Sequence, residues 1–356
     1  MAQPAAFDKA RAKAFTHRVI DDMAGAVKLH LCVIGVRLGL FRDFAANGPA
    51  DPATFAARTG IEPRYAREWL EAMAAASYIE FDPASGQFSL PAEHVRPLAE
   101  DTHPMYQGNL LNMLAYGMGP IEQLIAAFRS GGGVSQSAFP PEYYATMQRS
   151  SGLRYDNLLL DTWLQDMPDV VAMLERGVDV ADIGCGRGTA LALMAKAFPN
   201  SRFVGYDAFA PQIDGARQCA EQHGVTANTT FEVLDACAEI PRDFDLIFTF
   251  DVVHDMTKPA DGLANIRRHL KPGGIYVLQE ITAADERHEN RGSAATIKYG
   301  MSLTYCMTTC LANHGEGLGT LGMPEKVVRE LCTQAGFTSV RKLDCSTDFV
   351  SLFEVR

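Results

Sequence analysis

The most constraining stretch of this 356-residue chain runs from Val178 to Phe198, VDVADIGCGRGTALALMAKAF. Val178, Val180, Ala181 and Ile183 make a short run rich in β-branched residues, which predicts a buried strand. The run ends in DIGCGRG, with Gly184, Gly186 and Gly188 at every second position, and from Thr189 the apolar residues recur at helical spacing. The glycines therefore occupy a strand-to-helix turn, where a bare backbone can turn sharply and let a ligand approach its amides. The helix N-terminus that follows adds partial positive charge. Two phosphate cradles fit poorly. A P-loop needs a lysine before its Ser or Thr, and here Gly188 precedes Thr189 directly; the dinucleotide fingerprint is G-x-G-x-x-G, whereas this turn is G-x-G-x-G. Asp182 lies just upstream, where a carboxylate repels a pyrophosphate and suits a cationic ligand carrying an amino group. A purely structural turn in another α/β protein is the alternative.

Strand and helix patterns keep alternating after this turn. RFVGYD reads as a second strand ending in Asp207, 19 residues beyond Gly188, where an acid can accept both hydroxyls of a ribose. TTFEVLDACAEIP supplies a third strand ending in Leu234-Asp235-Ala236, and FDLIFTFDVVHDM a fourth, apolar almost throughout as a central parallel strand is. GLANIRRHLKPGG is a crossover helix stopped by Lys271-Pro272-Gly273-Gly274, and IYVLQEI a fifth strand. PEKVVRELCTQAGF forms a last helix closed by Gly336, followed by SVRKLDC and DFVSLFEV as a strand hairpin. The pattern predicts an α/β fold, a doubly wound parallel sheet with its ligand at the carboxyl ends of the strands.

The first turn, Asp207, Asp235, FDLIFTFDVVHDM and LKPGG together resemble the class I S-adenosylmethionine (SAM)-dependent methyltransferases in type, order and spacing over residues 178–281. The resemblance implies the Rossmann-like sheet of that class with a C-terminal antiparallel hairpin. It also implies SAM as cofactor, a molecule with an α-amino group, a sulfonium and no phosphate. The cofactor residues it implies are Asp182, Gly184, Cys185, Gly186 and Gly188 of the turn, Asp207 and Ala208 at the ribose, Asp235 and Ala236 at the adenine, and Phe250 and Asp251 ending the fourth strand. No metal site is implied.

His254 stands just past the fourth strand, at the rim where ligands bind, with Asp255 beside it. Imidazole titrates near neutrality, so it can take a phenolic proton at physiological pH. Val-Val-His-Asp resembles the Cys-His-Asp-Trp region of winged-helix plant-type O-methyltransferases, whose histidine is the general base, and Glu280 matches the acid that orients it there. Met256 stands where that family has Trp. A second supporting acid has no secure counterpart, Glu316 and Glu325 being only nearby. A histidine that merely anchors its loop is the other reading.

Upstream, residues 8–30 read as a helix with Phe15, Val19, Met23 and Val27 on one face, followed by a second through Leu38 and Phe41. Asp51-Pro52 caps PATFAARTG, Pro63 opens PRYAREWLEAMAAASY, and YIEFDPASGQFSL forms a hairpin around Asp82–Gly86. Helix, turn, helix and wing make a winged helix-turn-helix. Its second helix carries Arg64 and Arg67 against Glu68 and Glu71, and the chain's net charge is −11, so the phosphate backbone finds little to hold. Small-molecule O-methyltransferases with such a module use it for dimerisation and for covering substrate. The implied partners are a second copy of the chain, through this domain, and a small-molecule acceptor, with neither nucleic acid nor membrane.

The expected domains are 1–104, a helical bridge 105–168 broken at Gly117–Pro120, and 169–356 with a substrate-lid insertion at 284–323. In the bridge, Tyr143, Tyr144, Met147, Tyr155 and Trp163 line a pocket or form core. The insertion carries Tyr299, Met301, Tyr305, Cys306, Met307 and Cys310 and then a glycine-rich loop, and should roof the acceptor; with the winged helix and DVVHDM it resembles a group of bacterial and animal SAM-dependent methyltransferases. The eight cysteines are scattered without a CxxC pair. The N-terminus lacks the apolar core of a signal peptide and no run of eighteen apolar residues occurs, which suits a cytoplasmic protein. The function expected is methyl transfer from SAM to a small molecule, with oxygen favoured. A nitrogen, carbon or sulfur acceptor without base assistance, and a SAM-binding DNA regulator, are the alternatives.

Overall fold

The computed structural model describes residues 7–356; the first six, which open the segment compared with a signal peptide, lie outside the described residues. Packing divides the chain into two units, Met1–Ala115 and Tyr116–Arg356.

In the first unit, α1 (Lys9–Arg37) is capped by the Asp8 carboxylate, which accepts from Arg11 N–H at 3.1 Å. It runs to Arg37, beyond the expected end at residue 30, and these last turns bury Cys32, Val33 and Val36. Phe15, Val19, Met23 and Val27 do share a face, but that face is exposed. After α2 (Leu40–Asn47), Asp51 caps α3 (Pro52–Thr59) through the amides of Ala53 and Thr54, and Gly60 closes it in the left-handed conformation. α4 (Pro63–Ala75) follows, then the wing, β1 (Glu80–Asp82) paired antiparallel with β2 (Gln87–Ser89). Phe41, Phe44, Phe55 and Trp69 pack ring against ring at the centre, and the Trp69 indole N–H donates to Leu31 O at 3.0 Å. On α4, Arg64 is ion-paired with Glu68, so one of its two bases is neutralised on its own helix. α5 (Ala92–Leu98) and α6 (Gly108–Gly117) complete this part of the chain.

In the second unit, α7 (Ile121–Ser130) begins after the expected break and ends at the Gly131–Gly133 loop. α8 (Pro141–Leu158) runs into a π turn, Leu159–Trp163, and α9 (Pro168–Arg176) leads to the sheet. The sheet order is β5-β4-β3-β6-β7-β9-β8, with β3 (Asp179–Ile183), β4 (Arg202–Asp207), β5 (Thr229–Val233), β6 (Phe244–Phe250) and β7 (Leu270–Ile281) parallel. β8 (Val340–Lys342) and β9 (Val350–Val355) form the antiparallel hairpin, with β9 against β7. α10 (Thr189–Ala197) and α11 (Ala210–His223) cover one face through Leu191, Met194, Ile213 and Ala216. α12 (Pro259–Arg268) and α15 (Glu325–Gln334) cover the other through Leu263, Ile266, Val328 and Cys332. Burial on both faces explains the near-continuous apolar runs of β3 and β6.

The boundary between α12 and β7 also differs from expectation. Lys271–Gly274 lies inside β7 instead of ending the preceding helix. A register shift between Phe244 and Leu246 absorbs the Pro-Gly, and the Lys271 ammonium bonds the Asp179 and Asp245 carboxylates at 2.9 and 2.8 Å. Between β7 and α15, the insertion forms α13 (Gly292–Met301), a π turn at Ser302–Cys306, and α14 (Met307–Ala312). Among the described residues, no single helix is long and apolar enough to cross a membrane.

Candidate active site

The order of the sheet reverses between β3 and β6, and a cavity of about 580 Å³ opens at the carboxyl ends there. The turn after β3 is held by the Gly184 and Cys185 amides, both donating to Tyr206 O at 2.7 and 2.9 Å. Asp182, Gly184, Cys185 and Gly186 line the cavity, with Asp207 and Ala208 after β4, Asp235 and Ala236 after β5, and Phe250 and Asp251 ending β6. Gly188 does not reach it. That glycine has φ +74°, and a Cβ there would stand 2.9 Å from Phe231 and 3.0 Å from Ala216, so its role is packing at the start of α10.

Several polar atoms on the wall are buried without a hydrogen-bond partner: Asp182 Oδ1, Arg154 Nε, Gln212 Oε1, Asp251 Oδ1 and Asp255 Oδ1. Such groups are costly unless a ligand satisfies them. Asp182 is 1% exposed, and burial, then the neighbouring Asp207, pushes its carboxyl well above the usual range. A cationic ligand beside it would stabilise the charged form. Asp207 is pushed up to about 6 by burial, against the pull of two amides, Phe209 at 2.9 Å and Gly186 at 3.0 Å. Arg154 reaches over to Asp251 at 3.7 Å, and Asp251 holds a left-handed φ of 62°, unusual for a residue other than glycine. Asp235 already accepts from Cys237 N–H at 2.9 Å.

α8 supplies wall that the sequence left between pocket and core. Tyr144, Met147 and Tyr155 line the cavity, whereas Tyr143 and Trp163 are core. Gln148, Ser151 and Arg154 line it too, and sequence reasoning missed them. They fall on the Tyr144–Met147–Tyr155 face at spacings of three and four, a signal that helical periodicity carries. Arg187, in the glycine turn, is held by Gln148 at 2.7 Å. From the insertion, Tyr305, Thr309, Cys310 and Asn313 reach the cavity, while Tyr299, Met301, Cys306 and Met307 do not. Cys310 Sγ–H donates to Met256 O and accepts from Gly317 N–H, both at 3.3 Å.

Glu280, fully buried near the end of β7, brings both oxygens to His254. One accepts from Nδ1 at 2.6 Å and the other from the His254 backbone N–H at 3.2 Å. The imidazole is itself buried and is not on the cavity wall; Asp255, whose Oδ1 is 3.4 Å from Nε2, is on it. Burial disfavours the imidazolium, but Asp255 and Glu280 outweigh it and hold the His254 pKa well above its ordinary value. Neither Glu316 nor Glu325 flanks the imidazole: Glu325 pairs with Arg329 at 2.8 Å and Lys342 at 3.1 Å. The second flanking acids come from the same loop, Asp255 and Asp251, the latter 3.9 Å from Nδ1.

Residues 174–317 match the family described as a methyltransferase domain. Residues 25–100 match an Rv2258c-like winged HTH domain. Over part of its length the chain is similar to ubiquinone biosynthesis O-methyltransferase of Roseobacter denitrificans, 36% identical over 106 residues, which are 30% of this chain and 42% of that one. The chain thus spans about two fifths of the length of this curated relative. Among solved structures, mitomycin 7-O-methyltransferase MmcR aligns at TM-score 0.70 and 20% identity, covering 98% of this chain and 99% of that chain. Human N-acetylserotonin methyltransferase in complex with SAM aligns at TM-score 0.65 and 19% identity, covering 99% of each. The fold is that of these enzymes, a Rossmann-like methyltransferase sheet accompanied by a helical winged-helix domain.

Proposed function

We propose that the chain is a SAM-dependent methyltransferase that modifies a small molecule, oxygen being the favoured acceptor atom. The observation that carries this is the buried, unpartnered Asp182 carboxylate on the cavity wall of the methyltransferase domain. An α-amino group is the cation it calls for, and Arg154, whose Nε is also buried and unpartnered, suits the α-carboxylate of the same amino acid. Asp207 suits ribose hydroxyls, and Asp235 with the Ala236 amide suits the adenine. SAM supplies a methyl group already activated by its sulfonium, so the protein's work is to align the acceptor and remove its proton. We assign proton removal to the acid–base cluster of His254 and Glu280 near the inner wall. The ubiquinone-biosynthesis and mitomycin enzymes are O-methyltransferases by name, which supports the substrate class.

The exposed apolar face of α1 supports a homodimer formed through the first unit, since such a stripe is stabilised when a second surface covers it. All eight cysteines are free, the state a reducing cytoplasm maintains. Calorimetry with SAM tests the cofactor assignment. Asp182→Asn should weaken SAM binding by roughly 10- to 100-fold, the value of a charge-assisted hydrogen bond. Wild-type affinity in that variant would remove Asp182 from the cofactor site.

A further inference from the structure

Among the described residues, two groups of side chains bring three metal-ligand atoms within 4.8 Å of one another, and His254 belongs to both. In one, its partners are Asp251 and Glu280, and the 2.6 Å bond from Nδ1 to Glu280 already closes the gap an ion needs. In the other, its partners are Asp255 and Cys306. Asp255 Oδ1 is 3.4 Å from His254 Nε2 and is buried without a hydrogen-bond partner. Tetrahedral ligands about 2.0 Å from a zinc ion stand about 3.3 Å apart, so this spacing suits one. Cys306, at the end of the π turn in the insertion, adds a buried thiol beside the imidazole. Cys310, one helical turn on, is engaged elsewhere, with Met256 O and Gly317 N–H.

Thiolate, imidazole and carboxylate together are donors for zinc and its soft neighbours, and not for magnesium or calcium. The support behind the ring is in place as well: a metal-bound imidazole donates its other N–H to a carboxylate, as Nδ1 does to Glu280. The surroundings already favour positive charge, since Asp255 and Glu280 hold a cationic imidazole against burial. Of the three residues only Asp255 lines the cavity, so an ion arrives past it.

We propose that His254, Asp255 and Cys306 form an inhibitory site for a zinc-class divalent cation. This rests on the methyl-transfer reading above, in which metal-free His254 with Glu280 removes the acceptor's proton. On binding, the Cys306 S–H and the His254 Nε2–H each give their proton to water. Sulfur, nitrogen and an Asp255 oxygen then each donate a lone pair to the ion, and nothing is oxidised or reduced. Burial pushes the free Cys306 thiol up to about 11, and a coordinated cation reverses that by direct charge. The imidazole is then occupied by the ion, while the residues assigned to the cofactor on β3, β4 and β5 are left free. The cation therefore stops transfer without displacing SAM.

Measurements on the reduced full chain test this. Calorimetry with Zn2+ alone, without SAM, should find a site in wild type that Cys306→Ser weakens about 10-fold or more. Glu280→Gln, which removes the charge behind the ring, should weaken it about 10- to 100-fold. Co2+ in place of zinc should give a near-ultraviolet sulfur-to-metal absorption that Cys306→Ser lacks. In methyl transfer from labelled SAM into a small-molecule extract of the organism that encodes the chain, Cys306→Ser should turn over as wild type does. The zinc concentration that halves transfer should rise about 10-fold or more in that variant, a chelator should restore the wild type, and SAM affinity should be equal with and without zinc. Unchanged zinc affinity in Cys306→Ser, a cobalt complex without the sulfur absorption, or zinc that binds without slowing transfer would each overturn the proposal. Should Cys306→Ser not fold, Cys306→Ala takes its place and the wild-type cobalt spectrum decides by itself. A wild type that binds SAM and labels nothing defeats the methyl-transfer reading and the inhibition with it, whereas calorimetry and the cobalt spectrum still decide whether the cation site exists.

Discussion

Gly184 and Gly186 sit two residues apart and meet different constraints. Gly184 has φ +71°, and a Cβ there would drive into Val252, so the chain needs glycine to bring β3 against the loop after β6. Gly186 has φ +53°, but a Cβ there would meet no atom within 4 Å, and its amide serves Asp207. Gly184→Ala combines the left-handed cost of about 1–2 kcal/mol with overpacking of about 1–3 kcal/mol. Gly186→Ala incurs the first cost alone and intrudes on the ligand's approach. Thermal melting and SAM titration together should show Gly184→Ala the less stable of the two, and Gly186→Ala the more nearly native in stability but weaker for SAM. Equal melting temperatures would contradict this division. At this scale the glycines and carboxylates that line the cavity were legible because at fixed strand ends they are forced by backbone and charge. Arg154 and Gln148 were not, since on a helix of mixed polarity only the three-dimensional neighbour decides which face is wall. Asp255 was visible merely as the partner of His254; its place on the wall depends on how the loop turns after Phe250.

Strands and helices of the sheet were legible from their alternation, since a parallel strand covered on both sides admits little besides apolar residues. The Lys271–Gly274 segment shows the limit: proline and glycine signal a stop, but the ammonium of Lys271 is drawn to two carboxylates on neighbouring strands, and β7 starts earlier than local preference suggests. α1 shows another. Its apolar stripe predicts a buried face, yet Phe15 is 65% and Met23 61% exposed within one chain. Periodicity reports that a face will be covered and not by what. If a second copy covers it, Phe15→Glu with Met23→Glu should convert a dimer into a monomer by light scattering on a sizing column. A wild type that is already monomeric at micromolar concentration would contradict the dimer.

For the whole molecule, the cavity concentrates charge at a cost to stability. Asp207 and Asp255, each pushed up to about 6 from 3.8, bind protons more readily folded than unfolded, so their burden is fully felt above about 6 and eases as pH falls through it. His254, raised by its carboxylates, acts in the same sense: its contribution is complete below the unfolded value of about 6.5 and is lost as pH rises through the folded one. Melting of the SAM-free protein should therefore be higher at pH 5.5 than at pH 7.5, a window above the range in which ordinary carboxylates titrate. A lower melting temperature at pH 5.5 would contradict the electrostatic description of the cavity. The most direct test of the central claim is transfer of label from methyl-labelled SAM into the small-molecule fraction of a host extract, comparing wild type with His254→Ala. The account predicts a labelled small molecule with wild type, and at least about 100-fold less with the variant despite unchanged SAM affinity. Label in protein or nucleic acid, or equal labelling by both proteins, would contradict it.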